Sequence, residues 1–244
     1  ALEAFVNAEN EKGVNWKLLS DEDAMTTLDE VLPDVIAAHH EGILLENDRM
    51  RATLFLLVET LRQSVLAIVS QIRAGSFSPA QTEVRFGHGA PFPPIRLSLA
   101  DGSSALIGGV IDRVDRAVVG GRELLRIVDY KTGGRDFDFA GVLQGLTLQL
   151  PLYLLAAAER AETRAGLYYM PISQPVVSDH EEDIEGAVAQ AFRLKGLTLS
   201  DAAVVRASDN ALAGGKSAVL YQVEQTGEAE YAGSVCTTAQ MDSL

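Results

Sequence analysis

The chain has very little cysteine and a deficit of positive charge. Cys236 is the single cysteine among 244 residues, which excludes internal disulfides and any iron–sulfur cluster built from this chain alone. A lone cysteine also fits a reducing compartment, so we expect a cytoplasmic protein. The sequence has 34 acidic and 20 basic residues and a net charge of −14. Because nucleic-acid binders are usually basic, this acidity argues against an autonomous DNA-binding module, although it also fits a simple solubility feature.

Long apolar runs and a nucleotide-binding loop are missing as well. Leu54–Val58 is a typical apolar run, far shorter than the roughly 18 residues of a membrane span. We therefore expect no membrane association, and we expect no secretory signal. The absence of a G-x-x-x-x-G-K-[ST] loop excludes an ATP-driven motor in this piece. The hydrophobic content of 47% instead favours a folded globular protein with an ample core.

The order of patterns along the chain predicts three parts. Residues 1–80 have helical periodicity, and residues 81–175 contain several β-rich runs followed by an apolar helical stretch and one more strand. Residues 176–244 are less regular and are predicted to be an α+β extension. The sequence therefore predicts an α/β fold with a helical N-terminal part.

Four local predictions can be checked directly. Pro33 is expected to end or restart a helix, and Leu54–Ile72 has the spacing of an amphipathic helix. Phe139–Arg160 is predicted to be one apolar helical segment with Pro151 as a kink or restart point. Ala203–Arg206 is predicted to be a strand.

The most informative segment is a predicted hairpin around Gly120-Gly121. A Gly-Gly pair between two β-rich runs is a strong signal for a two-residue turn. With these glycines at its centre, Asp112 lies directly opposite Asp129, at a non-hydrogen-bonded pair where the Cα atoms approach to about 4.5 Å. Lys131 projects from the same face as Asp129. Opposed like charges destabilise a hairpin, so the sequence predicts a cation between them.

These residues have the chemistry of a metal-dependent phosphodiesterase. Mg²⁺ or Mn²⁺ prefers oxygen ligands and keeps several waters, so Asp112, Asp129 and the main-chain carbonyl of Tyr130 suffice as a predicted metal site. Such a metal polarises a phosphate and generates hydroxide at neutral pH. Lys131 is the predicted partner of the nucleophilic water or of the developing charge. The alternative is that these residues form only the polar face of a hairpin, because an isolated Asp-x-Lys is common.

Neighbouring polar residues leave alternatives open. On the other face of the hairpin, Asp115 opposes Arg126, which predicts a cross-strand ion pair rather than a metal ligand. Arg113 is expected either to touch phosphates or to be solvated at the surface, and the same applies to Arg116. Gln149 and Tyr153 share one helix face. They form either a hydrogen bond within the core or a polar group facing the predicted metal site.

Together these residues resemble the PD-(D/E)XK nuclease superfamily, in its RecB-like branch. The matching motifs are Gly109–Asp112, Val128–Lys131 and Gln149–Tyr153, in the order and with gaps that the superfamily has. Further segments resemble the nuclease domain of the AddB family of helicase–nuclease subunits: Phe77-Ser78-Pro79 with Glu83, and Lys195-Gly196-Leu197 with Asp201. The resemblance implies a restriction-endonuclease-like mixed sheet flanked by helices.

The resemblance also implies roles. Asp112 and Asp129 match metal-binding acids, Lys131 matches a catalytic lysine, and Gln149 and Tyr153 match a motif that supports the site. The implied activity is Mg²⁺- or Mn²⁺-dependent DNA exonuclease cleavage during double-strand-break processing for recombinational repair. Its implied partners are a single DNA strand fed from a duplex end and an AddA-like helicase–nuclease subunit.

One family feature is absent from the sequence. In the family a histidine stands just ahead of a Leu-Glu-x-Phe segment, which here is Leu2-Glu3-Ala4-Phe5. That histidine would precede Ala1, so we expect the chain to be part of a longer protein. Two rival interpretations are a non-catalytic DNA-guiding or scaffold module that retains the nuclease fold, and a generic α/β domain with a coincidental Asp-x-Lys.

Overall fold

The N-terminal part of the chain is helical, as the periodicity predicts. The computed structural model describes residues 1–39, 47–133, 136–158, 162–175 and 183–244. The first three elements are α1 (Leu2–Glu11), α2 (Asp21–Ala38) and α3 (Asp48–Ala74). Ser20 caps α2, because its side-chain oxygen accepts a hydrogen bond from the backbone N–H of Asp23 at 3.0 Å. Pro33 lies inside α2 and does not end it, so that expectation is wrong. Burial of Leu28 and Leu32 on the same helix offsets the lost backbone hydrogen bond.

Helix α3 combines a buried half and an exposed half. Its C-terminal half is buried in the core through Val65, Ile68, Val69 and Ile72. Its N-terminal half leaves Phe55 65% exposed. By length and composition alone, α3 is the one helix among the described residues that is long and apolar enough to cross a membrane. Core helices of soluble proteins pass the same test, so the finding is weak evidence for a membrane span.

The centre of the molecule is a mixed sheet of six strands. They are β1 (Ser78–Phe86), β4 (Gly109–Val119), β5 (Arg122–Lys131), β6 (Thr163–Pro171), β7 (Lys195–Leu199) and β11 (Val235–Cys236). Their order in the sheet is β1-β4-β5-β6-β7-β11. Strands β1, β4 and β5 are antiparallel neighbours, β5 and β6 run parallel, and β6 and β7 are antiparallel again. The short strand β11 pairs in parallel with β7 at the edge.

Smaller elements complete the fold. A two-stranded sheet, β2 with β3, lies between β1 and β4 in the sequence, and a three-stranded sheet of β8, β9 and β10 lies in the C-terminal part. The remaining elements are β2 (Ile95–Ser98), β3 (Ser104–Ile107), α4 (Phe139–Leu143), α5 (Gln149–Ala157), α6 (Ile184–Ala191), α7 (Ala202–Ser208), β8 (Gly215–Lys216), β9 (Val223–Gly227), β10 (Glu230–Gly233) and α8 (Thr238–Asp242).

The two faces of the central sheet are covered by different helices. Val128, Tyr168 and Met170 belong to the core that α1, α2 and α3 form, and we call this side the helical face. Ile127 and Tyr169 belong to the second core, which α5 covers, and we call this side the α5 face. Because side chains alternate along a strand, consecutive residues of β4 and β5 lie on opposite faces. The predicted α/β class, a mixed sheet flanked by helices, is confirmed. The division at residues 80 and 175 stays a prediction.

Of two further local predictions, the helical restart near Pro151 is confirmed and the strand at Ala203–Arg206 is wrong. Residues 139–158 form two helices, α4 and α5, so a second helix begins just before Pro151 and there is no kinked single helix; residues 159–160 of that prediction lie outside the described residues. Pro151 lies in the first turn of α5, where its missing N–H has no helical partner to lose. Ala203–Arg206 is part of helix α7, not a strand. There the Asp201 side chain accepts hydrogen bonds from the N–H groups of Ala203 and Val204, and this cap overrides the strand preference of the two valines.

Candidate functional site

The β4–β5 hairpin has the predicted register. Gly120 and Gly121 both have positive φ, 59° and 79°, as a two-residue turn of this kind requires. The ladder runs from Val119↔Arg122 at the turn to Arg113↔Val128. The next step along the same register brings Asp112 opposite Asp129, where the ladder of paired backbones ends. The observed ladder has the predicted register, and its extension by one residue supports the prediction that these two carboxylates meet on one face.

Backbone polarity shows how Asp112 joins the two strands beyond the ladder. The carbonyl of Lys131 accepts a hydrogen bond from the N–H of Ile172, so its polar groups point toward β6. By alternation, the N–H and the carbonyl of Tyr130 point toward β4. The Tyr130 N–H donates to Oδ2 of Asp112 at 2.8 Å. The Asp112 carboxylate and the Tyr130 carbonyl are consequently directed to the same gap between β4 and β5.

Gln149, the first residue of α5, holds the centre of the site together. Its Nε2 donates to Oδ1 of Asp129 at 2.9 Å and lies 3.0 Å from the hydroxyl oxygen of Tyr153. Its Oε1 accepts from Nζ of Lys131 at 3.2 Å. A single amide therefore contacts three of the residues that the sequence singled out. This arrangement resolves the alternative left open for Gln149 and Tyr153: the pair faces the carboxylates.

Lys131 and Asp129 form an ion pair within the site. The ammonium of Lys131 contacts Oδ2 of Asp129, while the other carboxylate oxygen accepts from Gln149. The Asp129 side chain is 1% exposed and that of Lys131 is 23% exposed. The Lys131 ammonium also lies 5.4 Å from the centre of the Tyr169 ring, a cation–π distance. Lys131 is thus partly exposed to solvent while its ammonium is held by the buried carboxylate of Asp129.

The pKa of Tyr153 depends on the carboxylates around it. Burial is the largest cause of its raised pKa, and the hydrogen bond to Gln149 opposes the rise. The charges of Asp129, Asp112 and Glu83 raise the pKa further. All three carboxylates are therefore close enough to act on one phenol, which places Tyr153 at the rim of an acidic site.

Glu83 is a residue whose role the sequence left undecided. On β1, Thr82 pairs with Arg113 and Val84 pairs with Ile111, so the intervening Glu83 falls opposite Asp112. It has a left-handed backbone, φ 48°, which a non-glycine residue rarely adopts. Burial and the charge of Asp112 raise its pKa. Asp112 on β4 therefore has an acidic residue on each side, Glu83 on β1 and Asp129 on β5. The sequence alone could not predict that Glu83 lies opposite Asp112, because the β2–β3 hairpin separates β1 from β4 along the chain and local spacing therefore does not give their register.

The helical face of the same hairpin carries a different charged group. Asp115 pairs with Arg126 at 2.8 Å, as predicted, and with Arg113 at 2.8 Å. All three side chains are at most 1% exposed. The expectation that Arg113 touches phosphates or is solvated is wrong: alternation places it on the helical face, where it donates to the hydroxyl of Tyr130 at 3.1 Å. Arg116 pairs with Glu162 at 2.6 Å.

The oxygen atoms of the α5 face fit a hard divalent cation. Two carboxylates and a main-chain carbonyl are the ligand types that Mg²⁺ and Mn²⁺ take, with water completing the shell. Among the described residues, no group of three or more His, Cys, Asp or Glu side chains is placed to hold a metal ion. A metal here would consequently rest on Asp112, Asp129, the carbonyl of Tyr130 and water.

Comparison with known proteins agrees with this geometry. The model of the PD-(D/E)XK nuclease superfamily matches residues 1–232. The chain is 30% identical over its whole length to the B subunit of the ATP-dependent helicase/deoxyribonuclease from Acetivibrio thermocellus, covering 22% of that protein. It is 28% identical over 93% of its length to the protein of the same name from Clostridium novyi, covering 21% of it. The chain thus spans about a fifth of these relatives. The resemblance drawn from the motifs is confirmed: the chain belongs to the PD-(D/E)XK nuclease superfamily.

Proposed function

We propose that the chain is a metal-dependent DNA exonuclease domain. In this proposal it hydrolyses phosphodiester bonds during double-strand-break processing for recombinational repair, as part of a helicase–nuclease complex with an AddA-like subunit. The name of the relatives, which are parts of an ATP-dependent helicase/deoxyribonuclease, supports both a DNA substrate and a complex with a helicase. Because the chain spans about a fifth of those proteins, substrate and partners are carried over as parts of the proposal.

The observation that carries the proposal is the set of contacts made by Gln149. An incidental polar face of a hairpin would leave its acids and lysine to solvent. Here one amide from a separate helix fixes Asp129 and Lys131 at 2.9 and 3.2 Å. Side chains held in this way lose little freedom when a substrate binds, which is what a catalytic group needs.

Each residue of the site has a separate role in the proposed hydrolysis. When bound, Mg²⁺ or Mn²⁺ would polarise the scissile phosphate and make a bound water a nucleophile at neutral pH. Asp112, Asp129 and the carbonyl of Tyr130 would hold it. The ammonium of Lys131, anchored by Gln149 and Asp129, would orient the attacking water and offset negative charge on the phosphate. Gln149 keeps both groups in place through its two ends.

The test is a cleavage assay on linear DNA with Mg²⁺ or Mn²⁺. We expect Asp129→Ala and Lys131→Ala to lower the rate at least about a hundredfold, because each removes a charge at the reacting phosphate. Asp101→Ala is the matched control, since Asp101 is exposed and its side chain accepts hydrogen bonds from Ser103 in the loop between β2 and β3, away from the site. Cleavage that survives both site substitutions would refute the proposal.

The second candidate function is a non-catalytic DNA-guiding module. The net charge of −14 keeps this rival open, because an acidic chain holds DNA weakly by itself and would depend on other subunits for its strand in either function. The same assay separates the two functions when it is run on the chain within its helicase–nuclease complex. Strand degradation that is unaffected by Asp129→Ala in the complex would support the guiding module.

A further inference from the structure

A cluster of cations surrounds one tyrosine in the C-terminal part of this acidic chain. The guanidinium of Arg193 lies 5.4 Å from the centre of the Tyr221 ring, and the ammonium of Lys195 lies 5.1 Å from it. Next to them is a cleft of about 450 Å³ that Arg193, Tyr221 and Lys216 help to line. We call Arg193, Lys195, Lys216 and Tyr221 the cationic cluster. In a chain with net charge −14, such a concentration of positive charge around an aromatic ring favours the binding of an anionic ligand.

The cationic cluster is continuous with the candidate cleavage site. Across the parallel pair β5–β6, Asp129 lies beside Tyr169. Across the antiparallel pair β6–β7, Tyr169 lies beside Lys195. Neighbouring strands are about 4.8 Å apart, so Lys195 stands roughly 10 Å from Asp129 along one row of the sheet. Consecutive nucleotides of one strand can therefore occupy the cleavage site and the cationic cluster together.

The acids near the cluster do not cancel it. Lys195 pairs with Asp136 at 2.7 Å, and the two side chains are 23% and 72% exposed. Because the carboxylate lies at the surface, the pair contributes little and a phosphate can replace Asp136. Glu224 also lines the cleft and is exposed on strand β9, opposite Lys216 on β8. The cluster thus keeps a surplus of positive charge around Tyr221.

We propose that the cationic cluster is a subsite for single-stranded DNA beside the cleavage site, an inference that rests on the proposed function. Backbone phosphates contact Arg193, Lys195 and Lys216, and a base stacks against the Tyr221–Arg193 pair. Stacking on an aromatic ring or a guanidinium plane tolerates any base sequence, as a processive nuclease requires. An acidic peptide would use the cations and leave the aromatic ring without a role, so the combination favours a nucleic acid strand.

The experiment measures binding of fluorescein-labelled oligo-dT to the full chain by fluorescence anisotropy, in EDTA to prevent cleavage. Tyr221→Leu should weaken binding about tenfold through loss of stacking. Arg193→Gln should weaken binding and flatten its salt dependence, because each lost phosphate contact lowers the slope by about 0.7 for single strands. Lys216→Gln should act in the same direction, and because Lys216 is exposed this variant cannot fail merely by unfolding. The control is Lys17→Gln, an exposed lysine just before α2, which should bind as the wild type does.

The subsite would be overturned by no measurable binding of the wild type, or by unchanged affinity in both Tyr221→Leu and Lys216→Gln. Equal competition by an oligo-glutamate peptide would also overturn it, in favour of an acidic protein partner. Because binding is measured without metal, the subsite and the proposed function fail separately. If oligo-dT binding depends on Tyr221 while DNA cleavage does not depend on Asp129, the subsite stands and the nuclease proposal falls.

Discussion

The two faces of the β4–β5 hairpin carry the same kinds of charged residue in opposite environments. On the helical face, Asp115 is fully buried between Arg113 and Arg126. On the α5 face, Asp112 is half-buried and is bonded to a backbone N–H. Asp112 and Arg113 are consecutive in the sequence, so a single step along the strand separates the two environments. The difference shows that alternation, rather than residue type, decides whether a charge is sealed in the core or lies on an accessible face.

The two faces differ in how completely each excludes solvent. The helical face is sealed by α1, α2 and α3, so its charges must satisfy one another. The α5 face is covered by a short helix that begins at Gln149 with polar side chains directed at the carboxylates. Lys131 reaches solvent there. One face therefore serves stability, and the other is available for chemistry.

The largest expected effect is a difference between the two faces in how much their charged residues contribute to the free energy of unfolding. Asp115→Ala leaves two buried guanidinium groups without their carboxylate, and we expect the free energy of unfolding to fall by about 3–5 kcal/mol. Asp112→Asn keeps an oxygen for the Tyr130 N–H and should change it by less than about 1 kcal/mol. Urea unfolding followed by circular dichroism measures both. Similar losses in the two variants would show that the faces do not differ in this way.

A smaller effect separates the faces by activity. Gln149→Leu keeps the apolar contacts of α5 but removes the amide that positions Asp129 and Lys131. We expect DNA cleavage to fall about 10- to 100-fold, as for other groups that orient metal ligands. Gln71→Leu is a matched control, since the Gln71 side chain donates to the carbonyl of Phe192 on the helical side at 2.7 Å. Its rate should stay at the wild-type level once the fraction of folded protein is equal. A loss shared by both variants would point to a general defect in packing.

The smallest effect is a pH dependence on the helical face. Burial raises the pKa of Tyr168 from 10 to about 12, and its hydroxyl lies 2.9 Å from the Thr198 hydroxyl. Between these values the unfolded chain loses the phenol proton while the folded chain keeps it, so stability falls as the pH rises from 10 to 12. In Tyr168→Phe this contribution should disappear, which reduces the loss of stability between pH 9 and 11 by about 1 kcal/mol. An identical loss in wild type and variant would contradict the buried titration.

Local signals in the sequence predicted the centre of the site. Gly120-Gly121 determined the register of the ladder from Val119–Arg122 to Arg113–Val128 without any knowledge of the rest of the fold. The helical spacing of Gln149 and Tyr153 placed both on one face. These predictions succeeded because each depends on a turn or on a single helix, where distance along the chain determines position in space.

The remaining features depend on pairing between distant segments. Glu83 meets Asp112 only through the register of β1 on β4, and Lys195 meets Tyr169 only through β6 and β7. The burial of Arg113 follows from three helices packing over one face, which no local pattern reveals. The prediction that Pro33 ends or restarts a helix is wrong for a related reason, because tertiary packing of α2 outweighs the cost of one proline.

Mn²⁺ binding, followed by electron paramagnetic resonance of the free ion, tests most directly whether the α5 face holds a metal. We expect that the wild-type chain binds Mn²⁺, that Asp112→Asn weakens binding at least about tenfold, and that Asp101→Asn leaves it unchanged. Neither Asp112→Asn nor Asp101→Asn should alter the unfolding curve appreciably. Mn²⁺ binding that is equally strong in wild type and Asp112→Asn, or that is absent from the wild type, would contradict the claim that the α5 face of the hairpin is a metal-dependent catalytic site.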